Sequence, residues 1–198
     1  MITEQIQDIL TKMDDMFRHA VGPRNRRQYM ESIGVSGLDW HFSLGAQEII
    51  DKKIPASVAG CTGRAKVFCK MASDAGIECF AICTAVNRDR DMAKSGIKTK
   101  SGREPIIGGH QIIAVKIDGR LKMFDPGHQE LNFLSEKVQV GNMVNFHFTD
   151  GSDPYLITAI LTPDEYAKVN TYQKLRNIYA SGDINNPNFI IKPHKNMP

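Results

Sequence analysis

Three residues in this 198-residue chain stand where side chains could do covalent chemistry: Cys61, His110 and Asp125. Cys61 lies in Gly60-Cys61-Thr62-Gly63, just ahead of a helical pattern. A thiol at a helix start meets unpaired backbone N–H groups and the positive end of the dipole, both of which favour the thiolate. His110 follows Gly108-Gly109 and opens an apolar run, and Asp125 ends the next apolar run in Phe124-Asp125-Pro126. Between the runs stands Asp118-Gly119, a strong hairpin signal. Two strands joined there run antiparallel, so their far ends, His110 and Asp125, are expected neighbours. A helix N-terminus packed on that sheet would present Cys61 to His110.

The chemistry this set supports is acyl transfer. A thiol with a free pKa of about 8.5 is mostly protonated at neutral pH. An adjacent imidazole takes its proton, and a carboxylate on the other ring nitrogen holds the tautomer and orientation. The thiolate then attacks an amide or ester carbonyl, and the developing oxyanion needs donors, of which the Cys61 backbone N–H is one candidate. Singly, each residue has a structural alternative: a packing cysteine, a strand histidine with one hydrogen bond, an aspartate before proline in a turn. Their joint placement is what points to chemistry.

The other cysteines read differently. All four (Cys61, Cys69, Cys79 and Cys83) fall in mid-chain, too few and too clustered for a disulfide-stapled domain. Cys79 and Cys83 share the strand-like run CFAICTAV, where positions four apart lie roughly 13 Å apart, too far for one tetrahedral metal. A metal site would need His128 or His147 to join the cysteines. Cys69, Cys79 and Cys83 are therefore expected to be small buried hydrophobes, and no metal or cofactor is expected.

With 41% hydrophobic and 24% charged residues and a net charge of +3, the composition is that of a globular domain rather than a disordered polypeptide. No stretch approaches the roughly 18–20 apolar residues of a membrane helix. MITEQIQDIL has neither the basic start nor the apolar run of a signal peptide. The expectation is a cytoplasmic protein, unless a leader was removed. Residues 87–104 hold Arg88, Arg90, Lys94, Lys98, Lys100 and Arg103 against Asp89, Asp91 and Glu104. Such a long connection reads either as a solvated loop or as a flap that draws in an acidic substrate or partner. A net +3 without interleaved aromatics argues against nucleic acid.

Several elements must position these residues. Ile6, Ile9, Leu10, Met13, Met16 and Phe17 predict a first helix over 3–19, stopped by Gly22-Pro23. Residues 24–42 read as irregular, and a second helix is expected over 43–52, ending before Pro55. After Cys61, residues Ala65, Phe68, Cys69, Ala72 and Ala75 form one helical face, closed by Gly76-Ile77. Strands are expected at 78–86, 111–117, 121–124, 143–148 and 155–161. Thr162, Pro163 and Glu165 spell a capping box for a last helix with Tyr166, Val169, Tyr172 and Leu175 inward. The order is helices, then a mainly antiparallel sheet, then a helix, which is α+β. A single domain over 1–180 and an irregular tail over 181–198 are expected.

From about Ser43 to Pro126 the sequence resembles the core of the transglutaminase-like superfamily of papain-like Cys-His-Asp thiol enzymes. The features that carry the resemblance are Gly60-Cys61 opening a helix, Gly76-Ile77 closing it, then His110 with an apolar run, then Phe124-Asp125-Pro126. It implies a papain-like fold with the Cys61 helix packed on the sheet. It further implies Cys61 as nucleophile, His110 as general base and acid, and Asp125 as the orienting carboxylate. Family members often carry an aromatic soon after the histidine, and here Gln111-Ile112-Ile113 stands instead. A second oxyanion donor could be Trp40, which also suits a core anchor, or Gln28. The activity implied is hydrolysis of an amide or peptide bond through a thioester. Transfer to an amine and a non-catalytic binding domain are the alternatives. The intact Cys, His and Asp disfavour the latter. Thr62-Gly63-Arg64, Gly108-Gly109 and Gly127-His128-Gln129 are polar or small, unlike an aromatic acceptor channel, and so favour water as acceptor. The expected partner is a protein or peptide substrate, acidic if the basic loop takes part in binding, with no nucleic acid and no membrane.

Overall fold

Apolar residues at helical spacing form α1 (Ile2–Arg18), which buries Ile6, Ile9, Leu10 and Met13 as expected. The structure, a computed structural model, describes residues 1–22, 26–34, 40–87, 107–144 and 155–171, together with 174, 175 and 178. Most of the basic segment 87–104, residues 145–148 of an expected strand, Tyr172, His147 and the tail 181–198 lie outside the described residues.

The stretch expected to be irregular, 24–42, instead contains two short helices, α2 (Arg26–Ser32) and α3 (Trp40–Ser43). With seven and four residues, neither is long enough to show a periodic apolar face. The helix expected over 43–52 is shorter. Gly45 is its extended N-cap, and α4 spans Ala46–Asp51. The next helix, α5 (Ala56–Asp74), is buried on more than one face: Lys66 and Val67 are buried together with Ala65, Phe68, Cys69 and Ala72. Ala75, expected on the inward face, is exposed. This fits its surroundings, for α5 packs on the sheet with α1, α3 and α4 against its other sides. Its end follows the expected signal. Ile77 N–H donates to Ala72 O (2.8 Å) and Gly76 N–H to Ser73 O (3.0 Å), the paired bonds of a Schellman motif.

The sheet comprises β1 (Cys79–Asn87), β2 (Ile107–Ile117), β3 (Arg120–Phe124), β4 (Phe133–Ser135), β5 (Met143–Val144) and β6 (Tyr155–Leu161). Their order is β4-β3-β2-β1-β6-β5, and every described pairing is antiparallel. The architecture is thus α+β. Two layers of core result. Cys79, Ala81, Cys83, Ile113, Val115 and Phe124 pack with the helices, and Ile82, Ile112, Ala114, Met123 and Ile157 form a second buried cluster. Burial on both faces explains why β1 and β2 read as continuous apolar runs. The expected hairpin is present. Asp118 and Gly119 both have positive φ (50° and 78°), as a type I′ turn requires. β2 begins four residues earlier than expected, so His110 lies within the strand, opposite Thr84, rather than at its start. β4, three residues long, has too little pattern to be read from sequence.

Thr162 caps α6 (Pro163–Ala167) by the expected capping box, and Tyr166 is buried. The helix ends at Ala167, shorter than expected. Val169 and Leu175 are nonetheless buried beyond it. Among the described residues no helix is long and apolar enough to cross a membrane.

Candidate active site

Cys61 owes its position to its predecessor. Gly60 adopts φ 63°, ψ −171° inside α5, a conformation open essentially to glycine alone. This break separates a short turn, residues 56–59, from the helical run that begins with Cys61. Among the four cysteines Cys61 alone is partly exposed; Cys69, Cys79 and Cys83 are buried and none is disulfide-bonded. Burial first, then the neighbouring Cys61, pushes the Cys83 thiol up to about 12. Cys69 is likewise held well above an ordinary thiol by its hydrogen bond with Cys79 and by burial. Both shifts suit inert packing residues.

His110 and Asp125 meet across the hairpin, with Nε2 of His110 2.7 Å from Oδ2 of Asp125. The other carboxylate oxygen, Oδ1, accepts from the Gly127 N–H at 2.7 Å. The backbone of His110 is fixed by Thr84, whose hydroxyl donates to the His110 carbonyl at 2.8 Å. Cys61 and the His110 side chain are close enough to shift one another, the thiol downward and the imidazole upward. Since Nε2 faces the carboxylate, Nδ1 is left for the thiol. The three residues singled out in sequence are therefore brought together in one relay.

The electrostatics follow from these contacts. Burial alone would push the Cys61 thiol up, but His110, through hydrogen bond and charge, pulls harder, helped by the Gln111 backbone and Thr62, and the net shift is downward. Burial would lower His110, yet Asp125 and Cys61 together raise it to about 9. Asp125, despite burial, is held below the ordinary carboxylate range by His110, the Gly127 N–H and His128. All three directions favour a thiolate–imidazolium–carboxylate arrangement.

One residue of this site escaped the sequence reading. The Cys61 thiol donates to Oε1 of Gln111 at 3.1 Å, and the Thr62 hydroxyl donates to the same oxygen at 2.9 Å. Gln111 is 2% exposed. It shares an alternating strand row with Ile113, Val115 and Ile117, and a lone polar residue in an otherwise apolar inward row is the signal that would have found it. Of the two oxyanion-donor candidates, Gln28 is exposed and does not line the cleft, whereas the side chain of Trp40 lies outside the described residues.

The relay floors a cleft of about 260 Å³ whose walls include Gly60, Arg64, Gly127 and His128. The loop after Asp125 is tied down from two helices. Arg64 donates to Gly127 O (2.8 Å), and the Gln7 amide donates to Gln129 O (2.8 Å) and accepts from Leu131 N–H (3.0 Å). Among the described residues no three His, Cys, Asp or Glu side chains are grouped as a metal would need. No protein-family model, no curated protein and no solved structure matches the sequence.

Proposed function

We propose that this protein is a Cys-His-Asp thiol enzyme that hydrolyses an amide or peptide bond through a thioester, on a core similar to that of the transglutaminase-like superfamily. The observation that carries the reading is the single relay from Cys61 through His110 to Asp125 on the floor of an open cleft. His110 Nδ1 takes the Cys61 proton, releasing it from Gln111 Oε1, and the thiolate attacks the substrate carbonyl carbon. The Cys61 backbone N–H, at the first position of the helical run, faces the developing oxyanion. Collapse of the tetrahedral intermediate breaks the C–N bond, with the imidazolium giving its proton to the leaving amine. His110 then takes a proton from water, which attacks the thioester carbonyl. The acid leaves and the Cys61 sulfur is regenerated. Asp125 stabilises the imidazolium and fixes its tautomer.

Water rather than an amine is the favoured acceptor because the cleft is open and its walls at Ala56, Gly60 and Gly127 are small, with no Phe, Tyr or Trp among the described lining residues to shield a thioester. The test offers a peptide library with a labelled primary amine at millimolar concentration to the native protein and to Cys61→Ala. The expected result is free acid as the main product, absent with Cys61→Ala. A dominant amine adduct would make the protein a transamidase. No turnover, together with no acyl group trapped on Cys61 after acid quench, would make it a binding domain.

A further inference from the structure

Of the described residues that line the cleft, the relay uses Cys61, His110 and Asp125, and one strong cation is left over. Arg64 stands one helical turn beyond Cys61, at i+3, so the two side chains leave the same face of α5 with Cβ atoms about 5–6 Å apart. Its guanidinium lies 5.5 Å from the centre of the Phe17 ring, and Nη1 donates to Gly127 O at 2.8 Å. These two contacts hold the group at the cleft wall while engaging one of its five N–H donors. No carboxylate among the described residues pairs with it. The acid nearest in the cleft, Asp125, has Oδ2 on His110 and Oδ1 on the Gly127 N–H. The fit at Gly127 is close. A Cβ there would lie 2.9 Å from Arg64 Nη1 and 2.9 Å from Asp125 Oδ1, so a larger residue would have to displace one or both of these side-chain ends. His128, also at the cleft, faces Asp125, its Nε2 3.9 Å from Oδ2.

We infer that Arg64 is a specificity residue that binds a substrate carboxylate one or two residues from the scissile carbonyl. This rests on the reading of the cleft as the active site. The distance follows from the geometry. One extended residue spans about 3.3–3.6 Å and two about 7 Å, which bracket the roughly 5–6 Å between two side chains one turn apart. A planar guanidinium held by a backbone carbonyl, with N–H groups left over, is the partner that carboxylates take bidentately. The carboxylate can belong to an Asp or Glu side chain or to the free carboxy terminus of a peptide; the chemistry is the same, and the experiment separates the sources.

The measurement is binding, so that it does not depend on turnover. Full-length Cys61→Ala is titrated calorimetrically with two matched pairs: acetyl-Ala-Glu-Ala-amide against its Gln twin, and acetyl-Ala-Ala-Ala as free acid against its carboxamide. The expected result is that the acid of at least one pair binds about tenfold tighter than its neutral twin. In Cys61→Ala/Arg64→Gln that preference falls to within about twofold. Arg64→Lys, which keeps a cation and a donor for Gly127, retains part of the preference and separates loss of charge from loss of fold. Equal binding of acid and neutral twin in both pairs overturns the inference, as does a preference that survives Arg64→Gln. If the preference follows Arg64 but native protein fails to cleave the tighter-binding peptide, the carboxylate site stands and the hydrolase reading falls.

Discussion

Nε2 of His110 lies 2.7 Å from Oδ2 of Asp125 although the two residues are not paired in the β2–β3 ladder. The last pair of that ladder is Ile113 with Phe124, so Asp125 would fall opposite Ile112, and His110 is its diagonal neighbour one step further. The contact needs the ladder to stop where it does. Pro126 has no N–H to extend it, and the Gly127 N–H turns back to hold the free carboxylate oxygen.

Asp125→Asn keeps the shape of that contact but removes the charge that selects the tautomer. Turnover is expected to fall by roughly 10²–10⁴ with the fold retained. Rates on any peptide that Cys61→Ala cannot cleave, with a thermal melt alongside, provide the check. Near-native turnover would reduce Asp125 to a turn residue.

The pH dependence follows from two opposite shifts. The active form needs Cys61 deprotonated and His110 protonated. Activity is therefore gained as pH rises through the lowered Cys61 value and lost as it rises through the His110 value of about 9. A bell in kcat/KM is expected, its limbs belonging to the interacting pair. Removing Asp125 takes away a contribution that raises His110, so the alkaline limb of Asp125→Asn should move to lower pH. An alkaline limb that stays in place would separate His110 from that limb.

Cys61 should be alkylated by iodoacetamide at near-neutral pH well before Cys69, Cys79 and Cys83, which are buried. Peptide mapping by mass spectrometry reads the order directly. Gln111→Glu would set a carboxylate against the sulfur in place of an amide oxygen 3.1 Å away. Like charge disfavours the thiolate, so the midpoint of alkylation rate against pH should rise by about one unit or more. An unchanged midpoint would remove Gln111 from the control of the thiol.

Gly60→Ala tests the break that makes Cys61 the first residue of its helical run. At φ 63°, ψ −171° a Cβ is strained by about 1–3 kcal/mol. Denaturant unfolding should show that loss, and relief of the strain by a shifted backbone should also slow Cys61 alkylation. Native stability together with native alkylation would show that the break is not required.

The local signals were legible in the sequence where short-range physics sets them: the periodic apolar face of α1, the Gly76-Ile77 stop of α5, the Asp118-Gly119 turn and the Thr162 capping box each depend on a few neighbours along the backbone. The meeting of His110 with Asp125 was legible for the same reason, since one hairpin turn fixes both strands. Tertiary structure decided the rest. The pairing of Cys61 with His110 depends on how α5 seats against β1 and β2, a packing between segments some fifty residues apart that no local pattern encodes. Gln111 under the sulfur and Arg64 against Gly127 arise from the same packing. So does the burial of Lys66, whose ammonium donates to Phe42 O and Leu44 O and is lowered to about 8 by burial. A lysine on a helix reads as a solvated residue until the carbonyls at the end of α3 are brought to it, because partner groups distant in sequence, rather than residue type, determine whether a polar group can leave water.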